Sequence, residues 1–160
     1  MNHLTRNNIG TARILVVDDE EPMREIVVSM LVTAGFECRE ASNGLEALRL
    51  LQAGEKFDLM LTDTMMEGLD GFGLLERTKI EFPEMPVVMG SALHDISVIL
   101  ISLRKGAYDY LLYPFHREEL LDMVRRALED DHVKQEHKAY VAKLEAQIAQ
   151  LTEQLRVRTA

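Results

Sequence analysis

The chain has 160 residues, 47% of them hydrophobic and 28% charged, with a formal net charge of −9. That length holds one ordinary domain with a real core plus an appendage, not two full domains, and the composition is that of a folded soluble chain. Residues 1–130 carry 13 Lys and Arg against 23 Asp and Glu, net −10, and residues 131–160 are net +1, so no direct nucleic-acid contact is expected.

Residues 1–10 are polar and read as a flexible N-terminus; they lack the apolar core of a signal peptide. No run approaches the ~18 apolar residues of a membrane span, so a cytoplasmic location and no membrane partner are expected. "RILVVD" (13–18) is nearly continuous in apolar residues, as in a central parallel strand covered on both faces. It runs into four consecutive acids, Asp18 to Glu21. Unit charges about 4 Å apart repel by roughly 1 kcal/mol in water and by more in a protein cleft, so a cation is expected there.

Pro22 suits the first turn of a helix over about 21–34, and Gly35 sits where it should stop. "FECREA" (36–41) is patchier and reads as an edge strand; it holds Cys38, the single cysteine, taken as a strand residue rather than a reactive thiol. A helix over 43–53 ends at Gly54, and "FDLMLTD" (57–63) is a second central strand. Next come a helix over 71–81, the strand "PVVMGS" (86–91) opened by Pro86, and a helix over 94–105 closed by Gly106. The strand "YDYLLY" (108–113) follows, and a last helix opens near His116.

Five alternating β and α units imply a parallel, doubly wound sheet in a three-layer α/β/α fold, and in such sheets ligands sit beyond the carboxyl ends of the strands. Those ends are Asp18 and Asp19, Asp63, Ser91, and Tyr113 with Pro114. Three carboxylates from two strands at one edge suit a hard cation such as Mg²⁺. Helix-dipole chemistry would account for Asp18 and Asp19 ahead of a helix, but not for Asp63.

"ILVVDDEE", "DLMLTDTMMEGLDGFGLL", "VVMGSA" and "KGAYDYLLYPF", in this order and spacing, resemble the receiver domain of two-component response regulators (CheY-like) across residues 11–130. The resemblance implies a flavodoxin-like sheet in the order 2-1-3-4-5 and transfer of a phosphoryl group from a histidine kinase or phosphotransfer protein. It implies Asp63 as phosphoacceptor and Mg²⁺ as cofactor, with Asp19 a direct metal ligand, Asp18 a ligand through water and the backbone carbonyl of Met65 the last protein ligand. Ser91 would donate its hydroxyl to a phosphoryl oxygen, the N–H groups of Ala92, Thr64 and Met65 could take the others, and Tyr110 stands at the position of the family's switch aromatic. Two departures stand out. Tyr113 occupies the place of a lysine that contacts the phosphoryl group, and Glu67 that of a loop proline.

Rival readings are a pseudo-receiver that binds and dimerises without phosphorylation, and a Mg²⁺-dependent phosphohydrolase with Asp63 as nucleophile. Met65, where that hydrolase would carry a second aspartate, argues against the latter. A receiver is not expected to be an enzyme beyond accepting its own phosphoryl group and slowly losing it.

In the fourth helix, Ile96, Ile99, Leu100 and Leu103 form one stripe expected to face the sheet, with Val98 and Ile101 opposite. These two are either scattered surface aliphatics or a partner surface on the signalling face that the resemblance assigns to the fourth helix, fifth strand and fifth helix. In the tail, Val141, Ile148 and Leu155 recur every seven residues, as do Leu144 and Leu151. That pattern favours a parallel two-stranded coiled coil and hence a homodimer; the other reading is an amphipathic helix packed on its own domain. The repeat is short, with His137 breaking it upstream and Arg158 at the next d position. Residues 131–160 are thus expected to be a helical extension leading to an output domain outside this sequence.

Overall fold

A computed structural model describes residues 11–159; the expected flexible N-terminus, 1–10, lies outside the described residues. Five strands, β1 (Arg13–Val17), β2 (Glu37–Ala41), β3 (Leu59–Asp63), β4 (Val87–Ser91) and β5 (Asp109–Leu112), form one parallel sheet in the order β2-β1-β3-β4-β5. The helices are α1 (Glu21–Thr33), α2 (Gly44–Gln52), α3 (Gly71–Glu81), α4 (Ile96–Arg104) and α5 (Arg117–Thr159). The patchy "FECREA" segment is indeed an edge strand, because only one of its sides is paired and only Ala41 is fully covered.

Side chains alternate across the sheet and feed two apolar layers. Ile14, Val16, Leu59, Leu61, Val88 and Leu111 pack with Val27 and Leu31 of α1 and with Leu120, Val124 and Leu128 of α5. Leu15, Val17, Met60, Val87 and Met89 pack on the other face with residues of α2, α3 and α4. Burial of each Leu or Ile contributes roughly 1.5–3 kcal/mol, so β1 and β3 are apolar on both faces because both faces are covered.

Local chemistry sets the element ends. Asn43 caps α2 by accepting from Glu46 N at 2.8 Å, while Glu46 returns to Ser42 N and Oγ at 2.9 and 2.6 Å; these bonds hold the Glu46 carboxyl below its ordinary pKa. Asp70 and Asp95 cap α3 and α4 through Gly73 N and Ser97 N. Gly35, Gly54 and Gly106 take φ of 100°, 92° and 104°, which ends the preceding helices as their sequence positions suggest. Cys38 is half-buried on β2, where burial first and the Glu40 charge second push its thiol up to about 11. It is a strand residue and an inert one.

The face assignment of α4 is different from the expected one. Ile96, Leu100 and Leu103 are 72%, 45% and 39% exposed, and of that stripe only Ile99 packs inward. Val98, expected to face away, is half-buried beside Ile99 against the α2–α4 layer, while Ile101 does face solvent. The buried arc runs through Val98, Ser102 and Ile99. Ser102 is fully buried because its hydroxyl donates to the Val98 carbonyl at 2.9 Å, satisfying it within the helix. A serine at the centre of the inward face breaks the apolar stripe that periodicity looks for.

The chain divides into two compact units between Leu128 and Glu129. Residues 129–159 are helical throughout, with His132 paired to Glu136 at 3.0 Å and Arg156 to Glu153 at 3.3 Å along the helix. No helix among the described residues is long and apolar enough to cross a membrane.

Candidate functional site

The carboxyl edge of the sheet collects what the strand ends provide. Val17 pairs with Thr62 in parallel register, so the residues that follow, Asp18 and Asp63, leave adjacent strands at the same level. Both continue the alternation that places Val16 and Leu61 on the α1/α5 side. Oxygens of Asp18, Asp19 and Asp63 lie within 4.8 Å of one another.

Burial and mutual charge work against these carboxylates. Asp18, only 3% exposed, has its pKa raised, first by burial and then by the Asp19 and Glu20 charges, although it accepts Glu20 N at 2.9 Å. Asp63 is pushed up to about 6, first by burial and next by the charge of Asp18, against the lowering effect of the Thr64 and Met65 N–H groups. An all-oxygen, anionic donor set of this size fits a small hard cation such as Mg²⁺, which takes a few protein oxygens and keeps its other waters.

Arg24 brings a fixed positive charge to the same edge. Its Nη1 donates to the Asp18 carbonyl at 2.7 Å and its Nε to Glu40 at 3.1 Å, in a side chain that is 14% exposed. The acidic run by itself points to a metal; the contact of Arg24 with Asp18 is a second source of positive charge that the run does not announce. The signal of this arginine in the sequence is its place as the lone base of α1, three residues after the last of the four acids.

Ser91 closes β4 and is buried; its Oγ accepts from Leu93 N at 3.1 Å, which leaves the O–H as a donor. Tyr113 follows β5, its N–H donating to the Ser91 carbonyl at 3.0 Å and its carbonyl accepting from His94 Nε2 at 2.9 Å. The Tyr113 ring packs against Phe115 with centroids 5.0 Å apart. Burial, then the charges of Asp18 and Asp63, raise its hydroxyl pKa and keep it protonated.

Tyr110 lies on the opposite face of the sheet, buried in the α2–α4 layer, where its hydroxyl accepts from Thr64 Oγ1 at 3.1 Å. The Thr64 N–H, expected to be open to a ligand, is already engaged by the Gly90 carbonyl at 3.1 Å and by Asp63 Oδ1 at 2.8 Å. Beside the acids an open cleft of about 520 Å³ runs past Asp19, Asn43, Arg49, Glu67, Gly68 and Leu69. The edge therefore unites Asp18, Asp19, Asp63, Ser91 and Tyr113, whereas Val98 and Ile101 lie on α4, outside it.

Residues 14–125 match the family model of the response regulator receiver domain. The chain belongs to that family. Over 115 residues this receiver is 36% identical to the DNA-binding transcriptional regulator NtrC of Escherichia coli strain K12, covering 72% of this chain and 24% of that protein. The crystal structure of NtrX from Brucella abortus superposes with a TM-score of 0.77 at 36% identity, over 81% of this chain and 29% of that one. The isolated receiver domain of the same Brucella abortus protein gives 0.69 at 38% identity, over 72% of this chain and 98% of that one. The chain spans about a quarter of the length of the curated relatives it matches. The acidic edge, Ser91, Tyr110 and Tyr113 all fall inside the receiver match, and residues 126–159 fall outside it.

Proposed function

We propose that Asp63 accepts a phosphoryl group from a histidine kinase or phosphotransfer protein, and that the receiver relays this through α4, β5 and α5 to a tail paired with a second copy of the chain. The observation that carries the reading is the convergence of Asp18, Asp19 and Asp63 to within 4.8 Å at the strand ends of a receiver fold. An ionised Asp63 oxygen attacks phosphorus, forming an acyl phosphate while the bond to the donor's imidazole nitrogen breaks and the imidazole departs with its electron pair. A pKa of about 6 leaves Asp63 largely ionised at neutral pH. Asp18, Asp19, Asp63 and the Met65 carbonyl would hold Mg²⁺, which when bound supplies neutralisation of the phosphoryl oxygens. The Ser91 hydroxyl, whose oxygen accepts from Leu93 N and whose O–H is left as a donor, would hydrogen-bond one of those oxygens.

The relay surface consists of exposed apolar groups on α4, Ile96, Leu100 and Ile101, with Leu112 at the end of β5. Tyr110 links this face to the site through Thr64. In the tail, Val141, Leu144, Ile148, Leu151 and Leu155 are 37–64% exposed at heptad spacing, which supports parallel pairing with a second copy. The name of the NtrC relative, a DNA-binding transcriptional regulator, suits a tail that leads to an output domain, with the receiver working in the cytoplasm.

The test is intact mass after treatment with phosphoramidate and Mg²⁺. One phosphoryl group on the native chain and none on Asp63→Asn is the expected result; no gain by the native chain would overturn the reading. Tyr113 in place of a lysine favours a second reading, a module that dimerises without phosphate. That reading predicts the same dimer mass with and without the phosphodonor.

A further inference from the structure

The site described above leaves one residue unexplained. Gly90 is the penultimate residue of a buried central strand, where a side-chain-free residue weakens both packing and chain order. Its backbone is not in the left-handed region, so no turn requires it. What sits in its place is Tyr113: a Cβ on Gly90 would stand 3.0 Å from the Tyr113 Oη, 3.1 Å from Cε1 and 3.2 Å from Cζ, tight enough that the ring would have to shift by a few tenths of an ångström. The hydroxyl end of the ring, not its base, occupies the space that any side chain at position 90 would fill.

The register shows where that hydroxyl has been delivered. Asp63 pairs directly with Gly90, and Gly90 with Leu111. Asp18, Asp63, Gly90 and Leu111 thus form one row across four neighbouring strands, all with the parity of the α1/α5 face. Tyr113 lies two residues beyond Leu111 on the same face, and its ring leans diagonally back over the glycine. Adjacent strands are about 4.8 Å apart, so a hydroxyl resting over Gly90 is one strand from the Asp63 carboxylate.

We propose that Gly90 is a positioning residue for Tyr113: its missing side chain lets the ring cross β4, so that the hydroxyl donates a hydrogen bond to an oxygen of the phosphoryl group on Asp63. The inference rests on Asp63 being the phosphoacceptor. Burial and the neighbouring carboxylates keep this hydroxyl protonated and therefore a donor. A neutral donor brings direction without charge, which makes its position matter more than that of a long flexible ammonium. Gly90 and Tyr113 then act as one unit, and neither substitution is independent of the other.

The experiment is a cycle of four full-length chains, native, Gly90→Ala, Tyr113→Phe and the double variant. Phosphorylation by phosphoramidate with Mg²⁺ is followed by intact mass, and the ring by NMR of ¹³Cζ-labelled tyrosine on adding beryllofluoride. Tyr113→Phe keeps the ring packing and removes only the O–H, so it should slow phosphorylation about threefold to tenfold, the range of one neutral hydrogen bond. Gly90→Ala should cause a similar loss with tyrosine present and less than a twofold loss in the phenylalanine chain, and it should abolish the beryllofluoride-induced shift of the Tyr113 signal. An equal penalty from Gly90→Ala in both backgrounds, or an unslowed Tyr113→Phe chain, would overturn the proposal while leaving Asp63 as phosphoacceptor. A native chain that gains no phosphoryl group overturns both. Should Gly90→Ala lose its cooperative melt, Tyr113→Phe and the native tyrosine shift decide alone: a normal rate, or no shift on adding beryllofluoride, sinks the proposal.

Discussion

Two stretches of α5 carry the same kinds of residue to opposite ends. Before Leu128, Leu120, Val124 and Ala127 have no measurable exposure and close the α1 side of the receiver core. After Glu129, Val141, Leu144, Ile148, Leu151 and Leu155 repeat an equally regular apolar face yet remain 37–64% exposed. Periodicity tells that a helix has a face to bury, and only proximity of a partner decides whether it is buried. The first stretch draws its stability from contacts within one chain; on the proposed pairing with a second copy, the second would draw its stability from association and depend on concentration.

The largest effect should break that contrast at its buried end. Leu120→Ala should cost the receiver about 2–5 kcal/mol in denaturant unfolding, as a fully enclosed leucine leaves a cavity. Leu151→Ala, in the exposed stretch, should leave the receiver transition within about 0.5 kcal/mol. Equal costs would mean that the tail face is packed on its own chain. Next in size is the tail itself. Leu144→Glu combined with Leu151→Glu places like charges at facing d positions and should weaken self-association more than tenfold, or about 1.4 kcal/mol. Light scattering over a concentration series would show it, and a native chain that is monomeric throughout would remove the coiled coil.

The contrast also explains what could be read from the sequence. The two-sided burial of β1 and β3 and the acidic edge follow from apolar runs ending in Asp18 and Asp63, because these are local patterns with one packing solution, whereas the strand order was legible only through the receiver resemblance. The outward face of α4 did not follow, since Ile96, Val98, Ile99, Leu100 and Ile101 leave apolar residues all round the helix. The decisive residue there was Ser102, whose hydroxyl is satisfied within the helix and is therefore silent in a polarity pattern. Gly90 was illegible and Arg24 legible only as a lone base close to the acids, because their roles are contacts with Tyr113 and Asp18 that only the folded chain creates. Committed donors are invisible in the same way: nothing in "LTDTMM" says that the Thr64 N–H is already bonded to Gly90.

The smallest predicted effect separates the two regions by pH. Asp63 at the receiver edge has its pKa raised from 3.8 to about 6, mainly by burial and then by Asp18. A carboxyl with a higher pKa folded than unfolded holds its proton more tightly in the folded state. Its contribution to stability is therefore fully present below about pH 4 and is lost as pH rises through about 6. Two units would correspond to about 3 kcal/mol, but Asp63 is partly exposed, and solvent screening reduces the expected loss to about 1 kcal/mol. In metal-free buffer Asp63→Asn should abolish this loss, so its stability relative to the native chain should climb between about pH 4 and pH 7 and then level off. Leu151→Ala in the tail, which removes no carboxyl from the receiver, should produce no such climb in the receiver transition. Adding Mg²⁺ at neutral pH should stabilise the native chain and largely spare Asp63→Asn, because ligand binding to the folded state raises stability only where the site is complete. Parallel pH profiles for the native chain and Asp63→Asn would show that the strain at this edge resides elsewhere, with Asp18 as the next carboxylate to neutralise.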